Sequence, residues 1–444
     1  MKRTVIILAA MLVSLPSFAE PAFDDWFLNA TLRLDYVFSG NDSRQSISFM
    51  EAYRTEVWAG RRTRLQKPLL EGNGQITVQD AASGEVIYSD SFSTLFQEWQ
   101  STEEATKVVK GFENCFQVPW PKAPVKITVR LTDKYRHTTA VLTHPIDPGD
   151  ILIRPLKSKN QYRQIMGGGN YASRIDVAIV GDGYAKKDTR KFYHDASRAV
   201  AAIMSHEPFS SMQDRFNFVA VNAISDDSGV SVPHRGEWKN TCFSSHYDTF
   251  YSARYLTTSN LRTLYFDLAG IPFEHILVLV NTGEYGGGGI YNSVTLTAAD
   301  HPTFEMVTVH EFGHEFAGLA DEYFYDDQYS PMYPAGVEPW EPNITTLTDF
   351  ASKWKDMLPP GTFIPTPVDS LEASTDVRRI WNRLSDSEKE ALNLRIGVFE
   401  GGGYQSKGVF RPVQECRMKI NECEHFCPVC SRAIVRMVDY YTGK

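Results

Sequence analysis

Two kinds of hydrophobic pattern divide the chain. From Phe23 to about Thr143 the apolar positions recur every second residue, as in the segments 30–38 (ATLRLDYVF) and 125–131 (VKITVRL). That period belongs to strands with one buried face. Turn clusters such as Ser39-Gly40-Asn41-Asp42 and Glu71-Gly72-Asn73-Gly74 separate them, and the pattern predicts an all-β sandwich of about 120 residues. Pro145 to Asp150 breaks it, and a connector over 151–169 ends in Gly167-Gly168-Gly169. Beyond it the apolar runs become nearly continuous: 175–180 (IDVAIV), 216–221 (FNFVAV) and 275–280 (HILVLV). Such runs suit strands covered on both faces. Phe192, Ala196, Val200 and Ile203 fall at helical spacing between the first two, so strands alternate with helices and the second region is an α/β (α+β) domain. The predicted division is 1–19, a leader; 20–150, the β-sandwich; 151–169, the connector; and 170–444, the second domain.

The first residues set the expected compartment. Lys2 and Arg3 precede the apolar stretch Val5 to Val13, and Ser17-Phe18-Ala19 supplies a small-x-small end. This is the pattern of a secretory signal cleaved near Ala19. The apolar run is well short of the roughly 20 residues that span a bilayer, and no later segment predicts a membrane span. An exported protein is expected, whether periplasmic, cell-surface or secreted. The 444 residues are 42% hydrophobic and 22% charged, with net charge −9 and pI about 5.7. Lysine and arginine form no cluster beyond the start, which excludes nucleic acid as a first-choice partner. There is no internal repeat, and the oligomeric state is not legible.

Six cysteines fit export. Cys115 and Cys242 are isolated, whereas Cys416, Cys423, Cys427 and Cys430 crowd into fifteen residues. Outside the cytosol an even count favours disulfides, and at least one is expected among these four. The competing reading is a cysteine zinc site. Cys427-Pro428-Val429-Cys430 resembles half of a zinc ribbon, although the spacing from the other two is irregular. No thioredoxin-like pattern surrounds it, which disfavours a redox role.

The chemistry centres on His310-Glu311-Phe312-Gly313-His314, an HExxH string. Two imidazoles four apart on a helix can bind one zinc ion, with the intervening Glu311 as general base. At about 100° per residue His310 and His314 point within roughly 40° of each other. Val309, Phe312, Phe316, Leu319 and Ala320 occupy a separate apolar arc. A catalytic zinc needs a third protein ligand, and Asp321 and Glu322 are the nearest downstream carboxylates. On a straight helix Asp321 would lie about 10 Å beyond His314, too far for ligands each about 2 Å from one metal. The chain must turn back, and Gly318 suits a left-handed helix end. His246 and His425 are assigned no metal role.

A zinc helix, a glycine turn and a third ligand resemble the metzincin metallopeptidases, with the pattern HExxHxxGxxH. Here the glycine comes one residue later and an aspartate replaces the histidine. The metzincin pattern favours Asp321, three residues past Gly318, while the extra residue keeps Glu322 open. It also implies that Met418, in Cys416-Arg417-Met418, packs beneath the metal. A closer resemblance is to the secreted IgA-peptidase family of metallopeptidases. It rests on Gly181-Asp182-Gly183-Tyr184, the block from His310 to Tyr323 (HEFGHEFAGLADEY), Glu341-Pro342-Asn343-Ile344-Thr345, Glu400-Gly401-Gly402-Gly403-Tyr404, Lys407-Gly408-Val409 with Arg411-Pro412, and Phe426-Cys427-Pro428-Val429-Cys430. The resemblance implies a metzincin-like zinc endopeptidase domain behind the β-sandwich, one catalytic zinc ion on His310, His314 and Asp321, and a protein or peptide substrate. IgA as that substrate rests on the resemblance alone. Metzincin-like enzymes place a substrate-pairing edge strand before the zinc helix, where this chain has Gly286 to Gly289. Gly287 and Gly288 are thereby candidate substrate contacts, with Tyr404 as a pocket-lining or oxyanion-donating group. The alternative from another class is an exported glycan- or protein-binding surface factor whose zinc helix is structural or degenerate. An intact Glu311 argues against it, because a structural site has no need of a base.

Overall fold

The structure is a computed structural model that describes residues 22–157, 159–325, 331–367 and 383–444. The leader expected over 1–19 lies outside these residues. The amino-terminal strands are β1 (Phe27–Gly40), β2 (Gln45–Thr55), β3 (Gly74–Asp80), β4 (Val86–Phe92), β5 (Lys110–Pro121), β6 (Val125–Thr132), β7 (Thr138–Ile146) and β8 (Arg154–Pro155). They form two four-stranded sheets, ordered β5-β1-β2-β8 and β4-β3-β6-β7. Both sheets close on one core, in which Leu32, Leu34 and Tyr36 of β1 meet Ile76 and Val78 of β3 and the alternating Val125, Ile127, Val129 and Leu131 of β6. The period-2 reading thus has its physical basis in the shared interior.

β1 departs from that reading because its outer face is buried as well. Arg33 and Asp35 are fully enclosed. Arg33 donates through Nε to Asp35 Oδ1 at 2.7 Å, and Arg262 of the second domain donates to Asp35 Oδ2 at 3.0 Å. The sandwich is therefore joined to its neighbour through a buried, paired ionic cluster, the form in which buried charge is tolerated. Backbone bonds add to the junction: Ser93 N–H donates to Tyr291 O at 3.0 Å, and Asn292 Nδ2 donates to Ser91 O at 2.8 Å.

The second domain is a six-stranded mixed sheet. Its strands are β9 (Tyr162–Met166), β10 (Ile175–Asp182), β11 (Phe216–Val221), β12 (His275–Val280), β13 (Gly287–Ile290) and β14 (Val294–Ala298), in the order β13-β14-β12-β10-β11-β9. The inner strands run parallel and the two edges antiparallel. The three apolar runs form β10, β11 and β12, buried at every position. Ile175, Val177 and Ile179 pack under the helices Thr189–Met204, Phe304–Ala317 and Pro428–Thr442, while Ala178 and Val180 face a second apolar cluster behind the sheet. The connector expected over 151–169 is not a simple linker. β8 extends the first domain's sheet beside β2, and β9 pairs with β11, because backbone groups on exposed sheet edges find partners there. A hairpin of β15 (Phe399–Gly402) and β16 (Gln405–Arg411) follows. No described helix is long and apolar enough to cross a membrane.

The helix Phe304–Ala317 lies against β13 at very short range. A Cβ on Gly289 would stand 2.3 Å from Glu311 O and 2.9 Å from His314 Cβ. A Cβ on Gly287 would stand 2.7 Å from Glu311 Oε1. The run of glycines is thus demanded by helix–strand packing. Gly289→Ala is expected to lower unfolding free energy by about 1–3 kcal/mol, the usual range for overpacking. Gly168→Ala, where a Cβ meets nothing within 4 Å, should change it by less than about 0.5 kcal/mol. Urea denaturation of the two variants side by side checks this.

Candidate active site

The site is assembled at the end of the helix Phe304–Ala317, and its geometry begins with the stop. Gly318 sits at φ 60°, ψ 31° in the left-handed region. Its N–H donates to His314 O at 3.0 Å, and Leu319 N–H donates to Gly313 O at 3.3 Å, the two bonds that close a helix with a left-handed cap. A Cβ on Gly318 would also meet Trp340 at 2.6 Å. Leu319 and Ala320 are buried, but beyond the turn, so they are not part of the helical arc on which the periodicity placed them. Asn343 holds this turned segment from the side, accepting from Ala320 N–H at 2.7 Å and donating to Ala320 O at 2.9 Å.

The reversal returns Asp321 to the two imidazoles. Asp321 Oδ1 lies 3.0 Å from His310 Nε2 and 3.2 Å from His314 Nε2, and the two Nε2 atoms are 3.1 Å apart. The other ring nitrogens are engaged: His310 Nδ1 donates to Arg417 O at 2.9 Å and His314 Nδ1 donates to Leu319 O at 2.5 Å. Those bonds fix the tautomer that presents Nε2 as a lone-pair donor. Ligand atoms about 2.0–2.1 Å from one tetrahedral ion stand roughly 3.3 Å apart, so two imidazoles and a carboxylate at this spacing fit a zinc-class ion. Glu322, the other carboxylate considered, points elsewhere, its Oε1 accepting from Asn343 Nδ2 at 3.0 Å.

Met418 is fully buried under the helix, its Sδ 3.0 Å from where a Gly313 Cβ would be. Its carbonyl accepts from Glu322 N–H at 2.8 Å, so the methionine turn and the carboxylate turn brace each other. Tyr404 lines the cleft, and its hydroxyl donates to Asp321 Oδ2. The reason is local: Gly403 and Tyr404 both take positive φ, 54° and 65°, and Gly403 N–H donates to Asp321 O at 2.8 Å, which drives the ring over the carboxylate.

The cleft has a volume of about 640 Å³ and takes walls from both domains. Glu311, Gly287 and Gly288 line it, and burial pushes the Glu311 carboxyl above its ordinary range. The strand edge carries a partner of its own, since Tyr255 bridges Gly287 and Leu256 N–H donates to Gly287 O at 3.4 Å. Glu98, from the short helix Leu95–Trp99 of the first domain, faces the same cleft. Burial pushes its carboxyl up to about 7, and Tyr255 donates its hydroxyl to it. Neither Glu98 nor Tyr255 carries a local sequence signal, because Glu98 reaches the cleft only across the domain junction and Tyr255 meets Gly287 only in the folded chain. The structure does not pair the four clustered cysteines as disulfides. Cys416 and Cys430 sulfurs stand 3.8 Å apart, beyond the roughly 2.05 Å of a disulfide.

Two imidazoles and a carboxylate brought together beside a glutamate at the wall of a cleft are the donor set of a metal-dependent hydrolase class of site. The family comparison specifies it. The model of the IgA peptidase M64 family matches residues 164–438, and the model of the peptidase M64 N-terminus matches residues 22–143. The chain belongs to the IgA peptidase M64 family and is a metallopeptidase. No curated protein matches the chain. Among solved structures, metalloproteinase II from Bacteroides fragilis is 11% identical, covering 55% of this chain and 83% of its own, with a TM-score of 0.20, a likeness that carries no argument.

If Asp321 is a metal ligand and Tyr404 its support, their losses should differ in size. Asp321→Ala is expected to weaken zinc binding by far more than the roughly 10–100-fold typical of an outer partner, and Tyr404→Phe by an amount within that range. Competition against a chromophoric chelator measures both affinities, and equal losses would contradict the assignment.

Proposed function

We propose that the protein is an exported zinc endopeptidase that hydrolyses protein substrates in the cleft between its domains, on a metzincin-like catalytic domain. His310, His314 and Asp321 would hold the zinc ion, whose chemistry when bound is to activate water and polarise the scissile carbonyl. The observation that carries the reading is the convergence of three donor atoms within 3.2 Å of one another beside the Glu311 carboxyl at the cleft wall.

Glu311 is the general base. Its carboxyl stands at the cleft wall on the same helix as both imidazoles, and burial makes it a better proton acceptor than an exposed glutamate. It takes a proton as water adds to the peptide carbonyl and returns it to the departing amine. Met418 supports the helix from below without ligating. Asp321 is kept in place by Tyr404, a positioning residue. Gly287 and Gly288 would present backbone to an extended peptide, beside the bridge that Tyr255 already makes. The sandwich domain closes the opposite wall with Glu98, which would exclude water and bias which residues fit. Export follows from the basic and apolar leader, and an IgA-type substrate from family resemblance alone.

Glu311→Gln should retain zinc and fold while turnover falls by about 10²–10⁴-fold, the contribution of a positioned base. Turnover is read on a protein or peptide library, zinc by elemental analysis. Chelation should abolish cleavage and added zinc restore it. Near-normal turnover in the variant overturns the mechanism, and a folded, zinc-loaded wild type that cleaves nothing favours the binding-factor reading.

A further inference from the structure

A second cluster of donor atoms lies behind the first. A carboxylate oxygen of Glu322 and the sulfurs of Cys416, Cys427 and Cys430 all fall within 4.8 Å of one another. The Cys416 and Cys430 sulfurs are 3.8 Å apart, and Cys430 Sγ is 3.1 Å from Glu322 Oε1. Sulfurs about 2.3 Å from one tetrahedral ion stand about 3.8 Å apart. All four residues are fully buried, and none lines the cleft.

We propose that Cys416, Cys427, Cys430 and Glu322 form a second, closed metal site that takes a structural zinc ion. Three observations support it independently of the cleft chemistry. First, the second carboxylate oxygen of Glu322 is buried with no hydrogen-bond partner among the described residues, a costly state unless a cation or proton serves it. Second, the cluster holds three cysteines and not four. Cys423 lies apart, its thiol donating to His425 O at 3.5 Å. A disulfide between any two of the three would leave the third as a lone buried thiol. Third, the CxxC segment is shaped as a ligand knuckle. Cys427 caps the helix Pro428–Thr442, its Sγ accepting from Cys430 N–H at 3.4 Å, while Cys416 Sγ accepts from Cys427 N–H at 3.2 Å.

Three thiolates and a carboxylate exceed the charge of a divalent ion. The fully buried Arg411 and Arg417 lie close enough to act on Glu322 and Cys416. Four-coordinate, thiolate-rich and sealed from solvent, the site matches structural zinc and not an oxygen-seeking cation. Its position gives it a task. Glu322 follows Asp321, Cys416 precedes Met418 by two residues, and the carbonyl of the intervening Arg417 orients His310. One ion would pin both turns that shape the cleft.

The test uses the full chain carrying His310→Ala and His314→Ala, purified without reductant, so that zinc in the cleft does not contribute. Elemental analysis is expected to find about one zinc per chain, and cobalt loading should give a near-ultraviolet thiolate-to-cobalt charge-transfer band. Adding Cys427→Ser should abolish both signals, whereas adding Cys423→Ser should leave both. Because Cys427→Ser could unfold the chain, alkylation of the folded parent supplies a second measurement: Cys416, Cys427 and Cys430 should be protected and become reactive when zinc is chelated. A parent without zinc and without the cobalt band overturns the proposal, as does an unreduced peptide map joining any two of these three cysteines.

Discussion

The chain reversal at Gly318 is the constraint on which the site depends. A helix can bring two imidazoles to one point, because residues four apart share a face, but it carries the next carboxylate away at 1.5 Å per residue. Only a left-handed residue directly after the last turn sends the chain back within three positions. At Gly318 this also requires the absence of a side chain, since Trp340 occupies the space a Cβ would take. Asn343 then holds the returned strand by both backbone groups of Ala320. Asp321 reaches the imidazoles and Glu322, its neighbour, is turned away into the protein.

That alternation divides labour between adjacent carboxylates. Asp321 faces a cleft open to solvent, whereas Glu322 faces a sealed pocket of cysteines. The backbone between them is tied to the methionine turn through Glu322 N–H and Met418 O. The same turn presents the Arg417 carbonyl to His310. The cleft is thus shaped by a small group of loops that brace one another, and little of the precision resides in the helix alone. Such mutual support is what positions donor atoms to a few tenths of an ångström.

The two domains meet through buried charge and backbone bonding. Asp35 on β1 is shared between Arg33 of its own strand and Arg262 of the catalytic domain, and removing one member would strand the others without solvent. This junction brings Glu98 into the cleft that Glu311 and Tyr255 line, so the sandwich is part of the cleft wall.

The sequence alone determined the elements with strong local signatures. Period-2 alternation marked the sandwich strands, continuous apolar runs marked β10, β11 and β12, and the HExxH spacing together with Gly318 marked the helix and its reversal. These are legible because they follow from neighbouring residues and backbone geometry. The tertiary structure decided what depends on distant segments. It brought Asp321 to the imidazoles and turned Glu322 toward the cysteines, because the turn is held by Asn343 and Met418 as well as by its own residues. It drew β8 and β9 out of an apparent connector, because sheet edges recruit whatever backbone lies beside them. It committed the Tyr404 hydroxyl to Asp321, brought Glu98 into the cleft, and set three cysteines around a carboxylate where the even count and expected export favoured disulfides. Each of these is a contact between residues far apart along the chain, and no local pattern encodes such a contact before the fold exists.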